Sequence, residues 1–133
     1  MRTLTRSTIL LLVVLAACAK APPDLPAADL LLFKADQAQV AIGTAQHAAI
    51  ELNKIKVCPT GPTSCHPLLS DANTKIVIDA VANAVKAIQA VPNGWLATSH
   101  TVLATITQRL DQAGKTTFGS YVTAAGAIID ALQ

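Results

Sequence analysis

Apolar residues recur at intervals of three and four from Asp29 onward, which is the spacing of amphipathic helices. The first such stretch predicts one long helix, roughly residues 29–56. Its apolar face is mostly alanine, so a neighbouring helix could approach it closely. The residues of this face are Leu31, Ala35, Ala38, Ile42, Ala45, Ala49 and Leu52.

Turn-forming residues then divide the chain into three further helical stretches. The segment 58–65 contains two prolines and a glycine and cannot continue a helix. Helical spacing returns over 70–91, without the strict alternation of a strand, and ends at the Pro92-Asn93-Gly94 turn. A third helix follows from Trp95, with Gly114 as its C-terminal cap. Thr116 or Thr117 is expected to cap a fourth helix, whose apolar face is Phe118, Val122, Ala125, Ile129 and Leu132.

The predicted fold is all-α, an up-down antiparallel bundle of about four helices over residues 30–133. Short connections between successive helices favour antiparallel neighbours. The chain of 133 residues suits a single domain. Apolar residues make up 52% of the chain, while aromatic residues make up only 3%. A core of Ala, Leu, Ile and Val favours closely packed helices.

The amino terminus has the pattern of a secretory signal peptide, predicted over residues 1–17. Arg2 and Arg6 precede an uncharged apolar block, Ile9 to Ala17, which ends in small residues. This block is too short to span a bilayer, which needs about 20 residues. Removing the leader takes two of the ten basic residues, and the eight that remain balance eight acidic ones. Because these basic residues are scattered, nucleic acid is not an expected partner.

The four residues Leu15-Ala16-Ala17-Cys18 resemble the lipobox of bacterial lipoproteins. The resemblance implies that a diacylglycerol is attached to Cys18 through a thioether and that the leader is cleaved before this residue. It also implies that Ala19, where aspartate would favour the inner membrane, directs the protein to the inner leaflet of a Gram-negative outer membrane, facing the periplasm. An ordinary cleavage site followed by a chance cysteine is the alternative.

Residues 18–29 are expected to form the lipidated cysteine and an extended tether. Pro22, Pro23 and Pro26 lie within this segment. Proline fixes its own φ angle and disfavours a helical conformation in the residue before it, so the segment should act as a semi-rigid spacer.

Cys58 and Cys65 are expected to form a disulfide, because an even number of cysteines remains for an oxidising compartment once Cys18 carries lipid. The alternative is a metal site in which His66, with His47 or His100, joins the two cysteines. The spacing argues against zinc, which prefers cysteines two to four residues apart. No metal or other cofactor is expected.

No catalytic residues are predicted. Ser99 and His100 suggest a nucleophile and its base, but adjacent residues on a helix point about 100° apart and do not face each other. Trp95, the only tryptophan, is expected to be at least partly buried, shielded by the residues that follow Pro92 and by the start of the last helix near Phe118. If it were exposed, it would be the best candidate for a contact residue.

These features predict a non-enzymatic, lipid-anchored envelope protein that acts as a structural or protein-interaction module. Its expected partners are the membrane, through the lipid on Cys18, and an envelope protein or a second copy of itself. The alternative is a periplasmic carrier of a lipid or another small hydrophobic ligand, because the chain has an excess of apolar positions such as Phe33, Val40 and Ile50.

Overall fold

The computed structural model describes residues 24–133, which form a bundle of four helices and one very small hairpin. The predicted all-α bundle is confirmed. The predicted signal peptide, Cys18 and the first part of the tether lie outside the described residues. The helices are α1 (Ala27–Lys54), α2 (Asp71–Ala90), α3 (Trp95–Arg109) and α4 (Gln112–Ala131), the two strands are β1 (Lys56–Val57) and β2 (His66–Pro67), and a single 3-10 turn spans Pro92–Gly94.

Each helix packs against the next one along the chain, and α4 closes the bundle against α1. Two polar contacts show the antiparallel pairing of α1 with α2. Near the end of α1, Asn53 Nδ2 donates to Asp71 Oδ1 at 2.7 Å, and nearer its start Gln39 Oε1 accepts from Gln89 Nε2 at 3.3 Å. The bundle therefore has two ends. The proximal end holds the start of α1 and the end of α4, and the hairpin end holds the end of α1 and the start of α2.

The core is built from small and branched aliphatic side chains, as the composition predicts. The alanine-rich face of α1 is buried from Ala35 to Leu52, and Ala38 and Ala49 have no exposed surface. Alanine lets the neighbouring helices approach α1 closely, and a few larger side chains from all parts of the bundle fill the interior. The largest fully buried ones are Phe118, Ile42, Leu69, Ile88, Ile106 and Ile129.

The first helix begins and ends two residues earlier than its spacing predicts. Pro26 has an extended ψ angle of 153° at the N-cap position, and Ala27 follows it as the first helical residue. The last positions of the predicted tether, 27–29, are therefore helical. At the other end α1 stops at Lys54, because Lys56 belongs to β1.

The predicted caps between the third and fourth helices were wrong. Gly114 lies within α4, and Thr116 and Thr117 are also helical. Asp111 is the N-cap, and its carboxylate accepts from the Gly114 backbone N–H at 2.7 Å. Aspartate caps a helix better than threonine does, because its charge also interacts favourably with the helix dipole.

None of the helices within residues 24–133 combines the length and the apolar character needed to cross a membrane.

Candidate functional site

Cys58 and Cys65 are joined by a disulfide, as predicted, and the bridge closes a hairpin between α1 and α2. The two strands pair antiparallel, with Lys56 opposite Pro67 and Val57 opposite His66. The turn between the cysteines depends on Gly61, whose φ angle of 120° is one that other residues rarely adopt. Both cysteines are exposed, so the bridge lies outside the core and holds the shape of the hairpin tip.

The base of the hairpin is fixed to the bundle by hydrogen bonds. The Leu68 N–H donates to Ile55 O at 2.8 Å, and Asn53 Nδ2 donates to Leu69 O at 3.0 Å. The side chain of Leu69 is buried in the core. The tip between the cysteines therefore stands on a well-anchored base while most of its own residues are exposed.

Replacing both Cys58 and Cys65 by alanine should keep the helical circular dichroism spectrum and lower the free energy of unfolding by no more than about 2.5 kcal/mol. The reason is that the bridge closes a short loop and so removes little entropy from the unfolded chain. Urea unfolding of the double variant beside the parent protein measures this. Loss of helix at ambient temperature would show instead that the hairpin is needed for the bundle to form.

Trp95 is 6% exposed, which confirms its predicted burial. The prediction that Phe118 lies beside it was wrong, because Phe118 is near the start of α4 at the hairpin end, whereas Trp95 opens α3 at the proximal end. The tryptophan instead forms part of an open apolar cleft of about 370 Å³. The cleft is lined by Ala27, Leu30, Leu31, Lys34, Trp95, Leu96 and Gln133.

The histidines and Ser99 are spread over separate parts of the bundle. Ser99 is buried, and its hydroxyl donates to Trp95 O at 2.6 Å, whereas His100 is exposed with Nε2 3.2 Å from Asp130 Oδ1. Exposed His66 lies on β2 and exposed His47 lies on α1. Within the part of the chain that the structure describes, no three His, Cys, Asp or Glu residues are grouped so that they could hold a metal ion.

A polar cluster that helical periodicity did not predict joins the starts of α2 and α4. Asn73 is 3% exposed, its Nδ2 donates to Asp111 Oδ1 at 2.9 Å, and its Oδ1 accepts from the Asp111 N–H at 3.3 Å. The hydrogen bonds from the Asn73 amide and from the Gly114 N–H lower the pKa of Asp111 below its ordinary value. The ionised carboxylate therefore connects two helices that are distant in sequence. The sequence does contain one signal for this cluster. Asp111 is a residue type that favours the N-cap position, and an N-cap carboxylate accepts from the N–H two or three residues later, here that of Gly114.

No known protein family, curated protein or solved structure matches this chain.

Proposed function

We propose that this chain is a non-enzymatic, lipid-anchored envelope protein that presents its disulfide-closed hairpin to a protein partner or to a second copy of itself. The observation that carries the proposal is the position of the hairpin. It lies at one end of α1, and the chain reaches the other end only nine residues after Cys18.

The length of α1 separates the two ends of the bundle. The helix contains 28 residues. With a rise of about 1.5 Å per residue, a helix of this length extends about 42 Å. An anchor on Cys18 would hold the proximal end near the outer membrane and direct the hairpin into the periplasm. This arrangement suits a protein that is fixed at one end and makes contacts at the other.

The structure of the hairpin supports a role in recognition. Its bridge is exposed and its tip packs little against the core, so the bridge contributes more to the shape of the tip than to the burial of apolar surface. A surface whose shape is fixed before binding loses less conformational entropy when a partner is bound. The tip consists of small polar and proline residues between two cysteines. Residues of these types can contact the surface of a partner protein.

Photo-crosslinking in the native envelope tests this proposal. A photoreactive amino acid at Thr63, exposed at the hairpin tip, should give a discrete crosslinked species, either with one envelope protein or with a second copy of the chain. The same amino acid at Ala82, exposed on α2, is the matched control and should give none. Replacing Cys58 and Cys65 by alanine should weaken the Thr63 crosslink while the bundle stays folded.

The proposed role of the hairpin would be contradicted if crosslinks formed equally at positions 63 and 82. A folded protein that gives no crosslink at Thr63 would contradict it as well.

A further inference from the structure

We propose that the proximal end of the bundle is a membrane-contacting surface, and that it rests against the same phospholipid bilayer in which the chain is anchored. This inference rests on the proposed lipid anchor at Cys18. It adds an orientation, in which the bundle stands upright on its proximal end.

Two of the three large apolar side chains that are exposed among the described residues lie at this end of the molecule, and the third, Val40, is 49% exposed in the middle of α1. Leu32 exposes 50% of its surface on the second turn of α1, and Val91 exposes 59% at the end of α2. The apolar cleft described above opens at the same end, and Leu30, Leu31 and Leu96 are among the residues that line it. Exposed apolar residues gathered in one place mark a surface that contacts another apolar phase.

The number of residues between the proposed lipid and α1 indicates which phase this is. Cys18 precedes Ala27 by nine residues. An extended spacer of that length reaches about 30 Å at most. The lipid would therefore hold the proximal end closer to the bilayer than the hairpin end, which lies about 42 Å further along α1. A partner protein or a second copy of the chain would have to compete with the bilayer, which the lipid already holds close to the proximal end.

Tethering also makes a weak contact sufficient. A few exposed leucine and valine side chains give too little apolar burial to bring a protein to a membrane from solution. When a short linker makes the contact intramolecular, the effective concentration rises to the order of millimolar, and a contact of modest affinity is then formed. The anchor and the apolar end would thus act together as two membrane signals.

The charges at this end favour contact through apolar groups over attraction to anionic headgroups. Asp24, Asp29 and Asp36 lie on or just before the first turns of α1, and Asp130 lies in the last turn of α4. Among the described residues, Lys34 and Lys86 are the lysines of the same region, and Lys34 Nζ donates to Gln133 O at 3.2 Å. His100 lies there too, with Nε2 3.2 Å from Asp130 Oδ1. This surface is therefore acidic on balance and suits a zwitterionic bilayer.

Quenching by brominated phospholipid tests the inference on the full lipidated chain in vesicles. A Trp95→Phe background carries one new tryptophan, either Leu32→Trp at the proximal end or Thr63→Trp at the hairpin tip as control. In vesicles of brominated phosphatidylcholine the tryptophan at position 32 should lose most of its emission, and the one at position 63 should keep it. Adding anionic phosphatidylglycerol should not increase the quenching.

The possible results separate this inference from the proposed function. Palmitate labelling and flotation with the vesicles report the anchor. A labelled, floating protein without quenching at position 32, or with quenching only when anionic lipid is present, overturns the membrane contact and leaves the anchor standing. An unlabelled protein that does not float overturns both. The Trp95→Phe background could lose its helical circular dichroism spectrum. In that case the parent protein is used, and Trp95, which lines the cleft, is the reporter. An unquenched Trp95 then overturns the inference.

Discussion

Replacing Cys18 by serine should abolish lipid attachment and leave the precursor uncleaved. The resemblance of residues 15–18 to a lipobox implies a thioether, and a serine hydroxyl cannot replace the thiol as the lipid acceptor. Labelled palmitate should enter the parent protein and not the Cys18→Ser variant, which should also migrate at the larger mass of the precursor.

The other two cysteines provide the control. The variant that lacks both Cys58 and Cys65 keeps Cys18 and should still incorporate palmitate, because its cysteines are replaced only within the hairpin. A Cys18→Ser protein that takes up the label and fractionates with the outer membrane would show that the anchor is assigned to the wrong residue.

Replacing Gly114 by alanine should lower the free energy of unfolding by about 2–3 kcal/mol, although alanine is normally the better helix residue. A Cβ atom at this position would lie 2.6 Å from Asn73 Nδ2 and 2.7 Å from Asn73 Cγ. These atoms are buried and hydrogen-bonded to Asp111, so the amide cannot move without breaking the contacts that join α2 to α4. For a domain of this size the melting temperature should fall by roughly 10 °C.

Gly119, five residues further along α4, is the matched control. A Cβ atom there has no neighbour within 4 Å. Gly119→Ala should therefore raise stability by up to about 1 kcal/mol through helix propensity alone. Thermal unfolding of the two variants side by side separates the buried contact from the general effect of glycine in a helix. Equal stabilisation by both changes would show that the Asn73 cluster is not closely packed in solution.

The positions of the helices were predictable from local sequence because each helix carries its own apolar face. The stripe from Ala35 to Leu52 is buried as its spacing predicts, and the proline and glycine residues after Cys58 lie in the non-helical hairpin that separates α1 from α2. The disulfide was also predictable, since two cysteines in one short turn-rich segment have little choice of partner. In each case the residues that carry the evidence are close together in the sequence.

Local sequence was thus enough to predict the four helices, their antiparallel order and the pairing of Cys58 with Cys65. The contacts at each end of the bundle could not be predicted in this way. The packing of four helices brings Asn73 to Asp111 across 38 residues of chain, places Trp95 beside Leu31 rather than Phe118, and turns Gly114 from an expected cap into a close contact. Helical periodicity shows which residues point inward, but the neighbour that each one meets depends on how the helices are rotated and shifted against one another. That arrangement is set by the fit of all the side chains in the core together.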